Sequence, residues 1–332
     1  MKQQRVSVWG AGSWGTALAM VLAKHGRQVD LICRNQDTAN QLNASRENAR
    51  YLQGLTFPDS LQAIAQDSPN LAEVLKHSKA TVLALPCSAA EIALETLQTY
   101  DMPIIAACKG INPVSLERVD ELLIRFVGLE RTLLLSGPSF AAEVASGKPT
   151  AITLAANTHD LAREIAEIFD DGNFRIYTSM DLVGVSLGGA LKNIIAIAAG
   201  VAEGMHLGHN AMAALVTRGI AEISRLTVAC GGQPETMSGL SGLGDLLLTC
   251  TGSLSRNRKM GMALASGLSV EKARAYVGQV VEGEKTAAAA VQMAKKYKID
   301  MPITQIVHGI LSEKVTPKDA VKLLMERPER HE

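Results

Sequence analysis

Lys192 is the lone charge in LVGVSLGGALKNIIAIAAGVA, the run from Leu182 to Ala202, where almost every other residue is apolar or small. An ammonium in such a setting is costly unless it is paired or used. Burial disfavours its charged form and brings proton exchange with a bound molecule within reach near neutral pH, while an acid nearby, with Asp245 the candidate, would oppose that fall and orient the amine. Gly188 and Gly189 lie one helical turn earlier, so a helix here has a bare face beside the amine, with room for a small polar ligand. The run is long enough to span a bilayer, but a central Lys costs roughly 2.5–3.5 kcal/mol on insertion scales. The flanks carry no basic cluster. A buried core helix is therefore expected, with no membrane span. On residues alone Lys192 could still be a structural cation, and Asn193 a satisfied core amide.

A second constellation opens the chain. Arg5 to Trp9 reads as a strand, Gly10-Ala11-Gly12-Ser13-Trp14-Gly15 follows at once, and Thr16 to Lys24 is helical in pattern before His25-Gly26. In the order strand, tight turn, helix, GxGxxG points to a dinucleotide pyrophosphate held at a helix N-terminus. The next strand, Val29 to Cys33, ends in Cys33-Arg34-Asn35 rather than in the acid that reads a ribose 2′-hydroxyl; Asp30 sits at the strand's beginning. Arg34 suits a 2′-phosphate, which favours NADP(H) over NAD(H).

A third cluster is Gly239-Leu240-Ser241-Gly242-Leu243-Gly244-Asp245, followed by Thr249-Cys250-Thr251 and Ser255-Arg256-Asn257. The glycines suggest backbone close to a ligand, with Asp245 oriented by the turn. Ser255-Arg256-Asn257 begins a helix and could gather a hydroxyl, a guanidinium and an amide round a phosphate. Glu203, His206 and His209 lack HExxH spacing, and Gly204 and Gly208 argue for a loop, so no metal is expected. Gly147-Lys148-Pro149-Thr150 fails as a P-loop, because Pro149 stands where Ser or Thr must follow the Lys.

Elements must position these groups. Strand patterns recur at Ala80 to Leu85, Ile104 to Cys108, Thr132 to Ser136, Thr150 to Ala155 and Phe174 to Thr178, with helical patterns between them. That rhythm predicts a mostly parallel, doubly wound sheet, which binds ligands beyond its strands' carboxyl ends. Lys109, Ser136, Gly137 and Ser139 fall at such ends. After Asp181 the patterns are helical: to about Glu203, Asn210 to Ala229, Ser255 to Ser266, Gly283 to Lys296, and Ile303 to the end. The expectation is an α/β plus all-α chain, with a dinucleotide-binding domain over 1–180 and a helical substrate domain over 181–332.

The 332 residues hold 33 Lys plus Arg against 33 Asp plus Glu, so no global field draws nucleic acid or an anionic membrane. Five cysteines, odd in number and without CxxC spacing, read as buried thiols of a reducing compartment. The N-terminus runs into the first strand with no signal-peptide apolar region. These observations predict a soluble cytoplasmic protein.

In combination and order, VWGAGSWGTALA from Val8, CKG from Cys108, SGPSFAAEV from Ser136, GGALKN from Gly188, TRG from Thr217, GLSGLGDLLLTCTG from Gly239, SRNR from Ser255 and GQVVEG from Gly278 resemble the bacterial-type NAD(P)-dependent glycerol-3-phosphate dehydrogenases over nearly the whole chain. GGxxKN alone also resembles the wider hydroxyacid dehydrogenases, which need a carboxylate clamp in place of the SRN cluster. The resemblance implies a Rossmann domain and a helical C-terminal domain like that of 6-phosphogluconate dehydrogenase. It implies reversible reduction of dihydroxyacetone phosphate to sn-glycerol 3-phosphate, feeding phospholipid synthesis. Carried over by motif, Lys192 is the general acid/base, and Lys109 and Asp245 share the catalytic site. Lys109, Gly137, Ser139, Asp245, Ser255, Arg256 and Asn257 contact substrate. Ser13, Trp14, Arg34, Lys109, Ala141, Arg256, Val280 and Glu282 contact NADP(H) or NAD(H), beside Gly10, Gly12 and Gly15 of the turn. A homodimer is expected as the commonest closed assembly. His206-Leu207-Gly208-His209 departs from the family's more glycine- and phenylalanine-rich loop. On the proton-transfer reading Lys192→Met, which removes a buried charge, should fold at least as well as the parent.

Overall fold

The computed structural model describes residues 5–24, 26–169 and 172–326. Residues 1–4, His25 of the expected helix stop, and residues 327–332 of the last expected helical segment lie outside them. Contacts divide the chain into two units, Met1–Lys109 with Val119–Val185, and Gly110–Arg118 with Ser186–Glu332.

Among the described residues the first unit holds one eight-stranded sheet. Its strands are β1 (Arg5–Trp9), β2 (Gln28–Cys33), β3 (Leu61–Ala65), β4 (Ser78–Leu83), β5 (Ile104–Ala106), β6 (Thr132–Ser136), β7 (Thr150–Ala156) and β8 (Phe174–Ser179). The spatial order is β3-β2-β1-β4-β5-β6-β7-β8. Every pairing is parallel except β6 with β7. The sequence patterns named seven of these strands; β3 is the addition. It is a short edge strand whose LQAIA alternates only weakly, and it gains its register from β2, with Leu31 opposite Ala63.

The helices of this unit are α1 (Ser13–Ala23), α2 (Gln36–Ser45), α3 (Leu71–Lys76), α4 (Cys87–Leu97), α5 (Val119–Val127), α6 (Ala141–Ala145) and α7 (His159–Phe169). Because strand side chains alternate, adjacent residues feed two separate cores. Val8, Leu31 and Val82 join Leu18, Leu22, Ile165 and Phe169 in one. Trp9, Ile32 and Leu83 join Leu94, Leu97 and Leu123 in the other. Both faces are thus dry, as the near-continuous apolar strands require.

The second unit is helical: α8 (Leu182–Gly204, its first residues in unit one), α9 (Gly208–Ala229), α10 (Pro234–Ser238), α11 (Asp245–Thr251), α12 (Arg256–Ala265), α13 (Val270–Val277), α14 (Glu282–Tyr297), α15 (Pro302–Leu311) and α16 (Pro317–Met325). The apolar window of α8 is 89% buried inside the protein, which makes it a core helix. Asp181 starts it by accepting from the Gly184 N–H at 2.8 Å. The glycine segment before Asp245 is a π-helical turn, Leu240–Gly244, leading into α11. Two expectations are corrected. The last helical segment is broken into α15 and α16, with Thr316 capping the second. Gly204, expected in a loop, ends α8.

Glycine sets how closely these helices pack. A Cβ on Gly200 of α8 would strike the Arg258 carbonyl, and one on Gly261 of α12 would strike the Ile197 carbonyl. The two backbones therefore touch, which fixes the N-terminus of α12 beside the middle of α8.

Glu222 of α9 is fully buried and holds the start of α15, accepting from the N–H groups of Ile303 at 2.6 Å and Thr304 at 3.2 Å. Burial pushes its carboxyl from the ordinary 4.5 up to about 7, against those hydrogen bonds and the charge of Arg225. The folded chain therefore binds this proton more tightly than the unfolded chain. Its contribution to stability is full below pH 4.5 and is lost as pH rises to about 7. Thermal unfolding across that window should show a falling midpoint, and Glu222→Gln should flatten the slope.

Candidate functional site

In the first unit the chain leaves β1 at the point where strand order reverses, between β1 and β4. The Gly10 N–H donates to the Ile32 carbonyl at 2.9 Å, and the Ala84 N–H to the Trp9 carbonyl at 2.8 Å, so the turn is gripped from both neighbouring strands. Gly10 has φ +121°, and a Cβ there would sit 2.6 Å from the Ala84 carbonyl oxygen. A Cβ on Gly15 would strike the Gly10 carbonyl, so α1 lies directly on the turn. Gly12 differs: nothing stands within 4 Å of the place its Cβ would take. That open side, next to the first N–H groups of α1, fits a dinucleotide pyrophosphate.

The other residues expected here also fall at carboxyl ends of parallel strands. Arg34 follows β2 and is exposed, just before Asn35, whose side chain caps α2 through the Thr38 N–H at 3.0 Å. Lys109 follows β5 and is half-buried. Gly137 and Ser139 follow β6, with the Ser139 hydroxyl donating to the Gly137 carbonyl at 3.0 Å, and Ala141 opens α6. Ser13 and Trp14 are half-buried in the first turn of α1. Asp30 is no ribose reader: it is fully buried, taking Arg5 at 3.0 Å and Gln62 at 2.6 Å, and burial raises its carboxyl above the ordinary range.

In the second unit Lys192 is buried and its ammonium donates to Asp245 and, at 2.8 Å, to the Thr249 hydroxyl. The Thr249 hydroxyl in turn donates to the Asp245 backbone carbonyl at 2.6 Å. Asp245 and Thr249 share a face of α11 because they are four residues apart. Asp245 is only 1% exposed. Two expectations change. The face is covered at Gly188, where a Cβ would lie 2.6 Å from the Ser241 carbonyl oxygen; this glycine admits the π-helical turn rather than a ligand. Lys192→Met would leave Asp245 as a buried, uncompensated charge, so it should lose stability rather than keep it.

Asn193 extends the network. Its amide donates to Glu282 at 3.2 Å and accepts from Asn257 at 2.8 Å, and Asn257 accepts from the Gly283 N–H at 3.0 Å. A Cβ on Gly283 would lie 2.6 Å from the Asn193 carbonyl oxygen, so only glycine lets α14 start there. Asn257 is thus engaged at both ends of its amide. Ser255 is the N-cap of α12, accepting from the Arg258 N–H at 3.2 Å. Arg256 is exposed at the same helix start, and Val280 is exposed just before α14. The bridging roles of Asn193, Thr249 and Gly283 were not read from sequence. Only the spacing of Thr249 from Asp245 carried a signal. Burial pushes the Cys250 thiol up to about 12, so it stands beside Lys192 as a neutral group. Glu203 is taken by Arg258, and among the described residues no group of three or more His, Cys, Asp or Glu side chains could hold a metal.

Residues 5–162 match the family model described as NAD-dependent glycerol-3-phosphate dehydrogenase N-terminus, and residues 181–322 match its C-terminus counterpart. The chain is 42% identical to glycerol-3-phosphate dehydrogenase [NAD(P)+] of Neisseria meningitidis serogroup A, over 99% of this chain and 100% of that protein. It is 44% identical to the protein of the same name from Koribacter versatilis, over 98% and 97%. The crystal structure of glycerol-3-phosphate dehydrogenase from Coxiella burnetii superposes with a TM-score of 0.92 at 38% identity, over 98% and 99% of the two chains. With a nucleotide-fitting turn in one unit, a buried Lys–Asp pair in the other, and relatives of this identity along its whole length, the chain belongs to the NAD(P)-dependent glycerol-3-phosphate dehydrogenase family.

Proposed function

We infer that the protein reduces dihydroxyacetone phosphate reversibly to sn-glycerol 3-phosphate with NADPH or NADH. The observation that carries the chemistry is the buried Lys192–Asp245–Thr249 arrangement, a proton donor held at a fixed place in an otherwise apolar helix. When bound, the nicotinamide supplies or accepts the hydride. Lys192 donates a proton to the developing C2 alkoxide in reduction and takes it back in oxidation. Asp245 keeps the ammonium from swinging away and offsets the cost of burying it. Thr249 fixes its direction through one further hydrogen bond.

Residues 1–180 serve as the dinucleotide-binding domain and 181–332 as the substrate domain. Arg256 and the start of α12, with Ser255 and Asn257, take the substrate phosphate through a charge-assisted contact and helix N–H groups. Lys109, Gly137 and Ser139 complete the substrate contacts. Gly10 to Gly15 hold the pyrophosphate, with Ala141, Val280 and Glu282 contributing to the nucleotide site. Arg34 reads the 2′-phosphate and favours NADP(H). The protein works in the cytoplasm as a homodimer, and its product feeds phospholipid synthesis.

Adding dihydroxyacetone phosphate to the purified protein with NADPH should consume the absorbance at 340 nm, about the maximum of the reduced nicotinamide. Lys192→Met should lower kcat by roughly 10²–10⁴-fold with little change in NADPH affinity. It should also melt earlier, and Lys192→Met/Asp245→Asn should recover the melting temperature without recovering turnover. Normal turnover in the single variant would remove Lys192 from the reaction.

Arg256→Ala should raise KM for dihydroxyacetone phosphate by about tenfold or more, the cost of losing a charge-assisted pair. Plain dihydroxyacetone should be a poor substrate for parent and variant alike. An equal loss with both ketones would argue against a phosphate contact.

Arg34→Glu should lower kcat/KM for NADPH relative to NADH, measured with each nucleotide at saturating ketone. An unchanged ratio would mean that Arg34 does not read the 2′-phosphate.

A further inference from the structure

Asn48 lies between α2 and β3, remote in sequence from the glycine turn, yet its side chain ends on that turn. Its Nδ2 donates to the Ala11 carbonyl at 3.0 Å and to the Thr16 hydroxyl at 2.8 Å. A side-chain amide nitrogen carries two protons, and both are spent here. The residue is 5% exposed and Thr16 is fully buried, so water does not compete for these bonds.

The chain around Asn48 is built to hold it still. The Arg46 guanidinium donates to the carbonyls of Leu61 at 2.7 Å, Phe57 at 3.2 Å and Pro58 at 2.5 Å. Glu47 accepts from the Gly54 N–H at 2.7 Å. The Asn48 carbonyl accepts from the N–H groups of Tyr51 at 3.0 Å and Leu52 at 2.8 Å. Leu52 and Phe57 are buried in the same core as Leu18 of α1.

The consequence follows from peptide geometry. In a trans peptide the C=O and the next N–H point in opposite directions across one plane. Holding the Ala11 carbonyl toward Asn48 therefore turns the Gly12 N–H away from it. Gly12 is the glycine whose Cβ position is open for 4 Å around. The second bond, to Thr16, ties the same amide to the first turn of α1, whose Thr16 N–H already donates to the Gly12 carbonyl at 2.9 Å.

We propose that Asn48 is a positioning residue for the nucleotide site, orienting the Ala11–Gly12 peptide so that the Gly12 N–H faces the cofactor pyrophosphate. The proposal rests on the dinucleotide reading of the glycine turn. It separates two parts of cofactor recognition: Arg34 chooses between nucleotides, whereas Asn48 acts on the diphosphate they share.

Asn48→Leu keeps the approximate size without adding charge, and Asn48→Ala relieves any clash. Affinities are measured by titration calorimetry on the full chain, with thermal midpoints alongside. NADPH and NADH should weaken by the same factor, about ten to a hundredfold for a lost buried hydrogen bond. Adenosine 2′-monophosphate, which lacks the diphosphate, should change by less than about threefold, because bonds to the ribose side are untouched. Unchanged NADPH affinity, or an equal loss for adenosine 2′-monophosphate, would overturn the proposal. So would failure of both variants to fold, since Asn48 would then be a folding residue. A parent protein that binds neither nucleotide would overturn the dinucleotide reading together with this one; a parent that binds beside an unaffected variant overturns this one alone.

Discussion

The ion pair between Lys192 and Asp245 is the constraint on which the helical unit depends. An ammonium in the middle of an apolar helix is tolerated only if a carboxylate reaches it from outside that helix. Asp245 can reach because α11 begins where it does, and α11 begins there because a π-helical turn delivers it. That turn in turn needs the backbone of Ser241 to lie against Gly188 of α8. A side chain at 188 would push the turn outward and strand the lysine. Glycine spacing, turn type and ion pair are thus one arrangement.

The same logic governs the neighbouring amides. Asn193 and Asn257 hold each other, and the N–H of Gly283 closes the set. Each buried polar group finds its partner within the cluster, which is what a dry interior demands. The Gly200–Gly261 approach of α8 and α12 makes this possible by bringing the two helices to backbone contact. Polar satisfaction at the site is therefore a product of close helix packing two turns away from Asn193.

The sheet unit solves a different problem, holding a glycine turn in place at the end of a parallel strand. Parallel strands covered on both faces leave only their ends free, and the site residues of this unit all lie at carboxyl ends. The turn after β1 is gripped by β2 and β4 and by the amide of Asn48. Backbone that must meet a ligand with fixed geometry is held by partners on its other sides.

Much of this was written in the chain itself. Alternation of apolar strands with helices determined a doubly wound sheet, because a parallel sheet must be covered on both faces. GxGxxG between strand and helix determined the tight turn from β1 into α1, since the glycines serve local geometry. Lys192 announced itself by being charged where its neighbours are apolar. Tertiary structure alone decided what surrounds these groups. Edge strand β3 takes its order from β2, not from its own weak pattern. Asn48 reaches Ala11 across 37 positions of chain, and Glu222 reaches Thr304 across 82. Gly188 beside Lys192 looked like ligand room and proved to be filled by the Ser241 backbone. Spacing along one helix fixes which residues share a face, but what lies against that face depends on contacts between distant segments, which local periodicity does not encode.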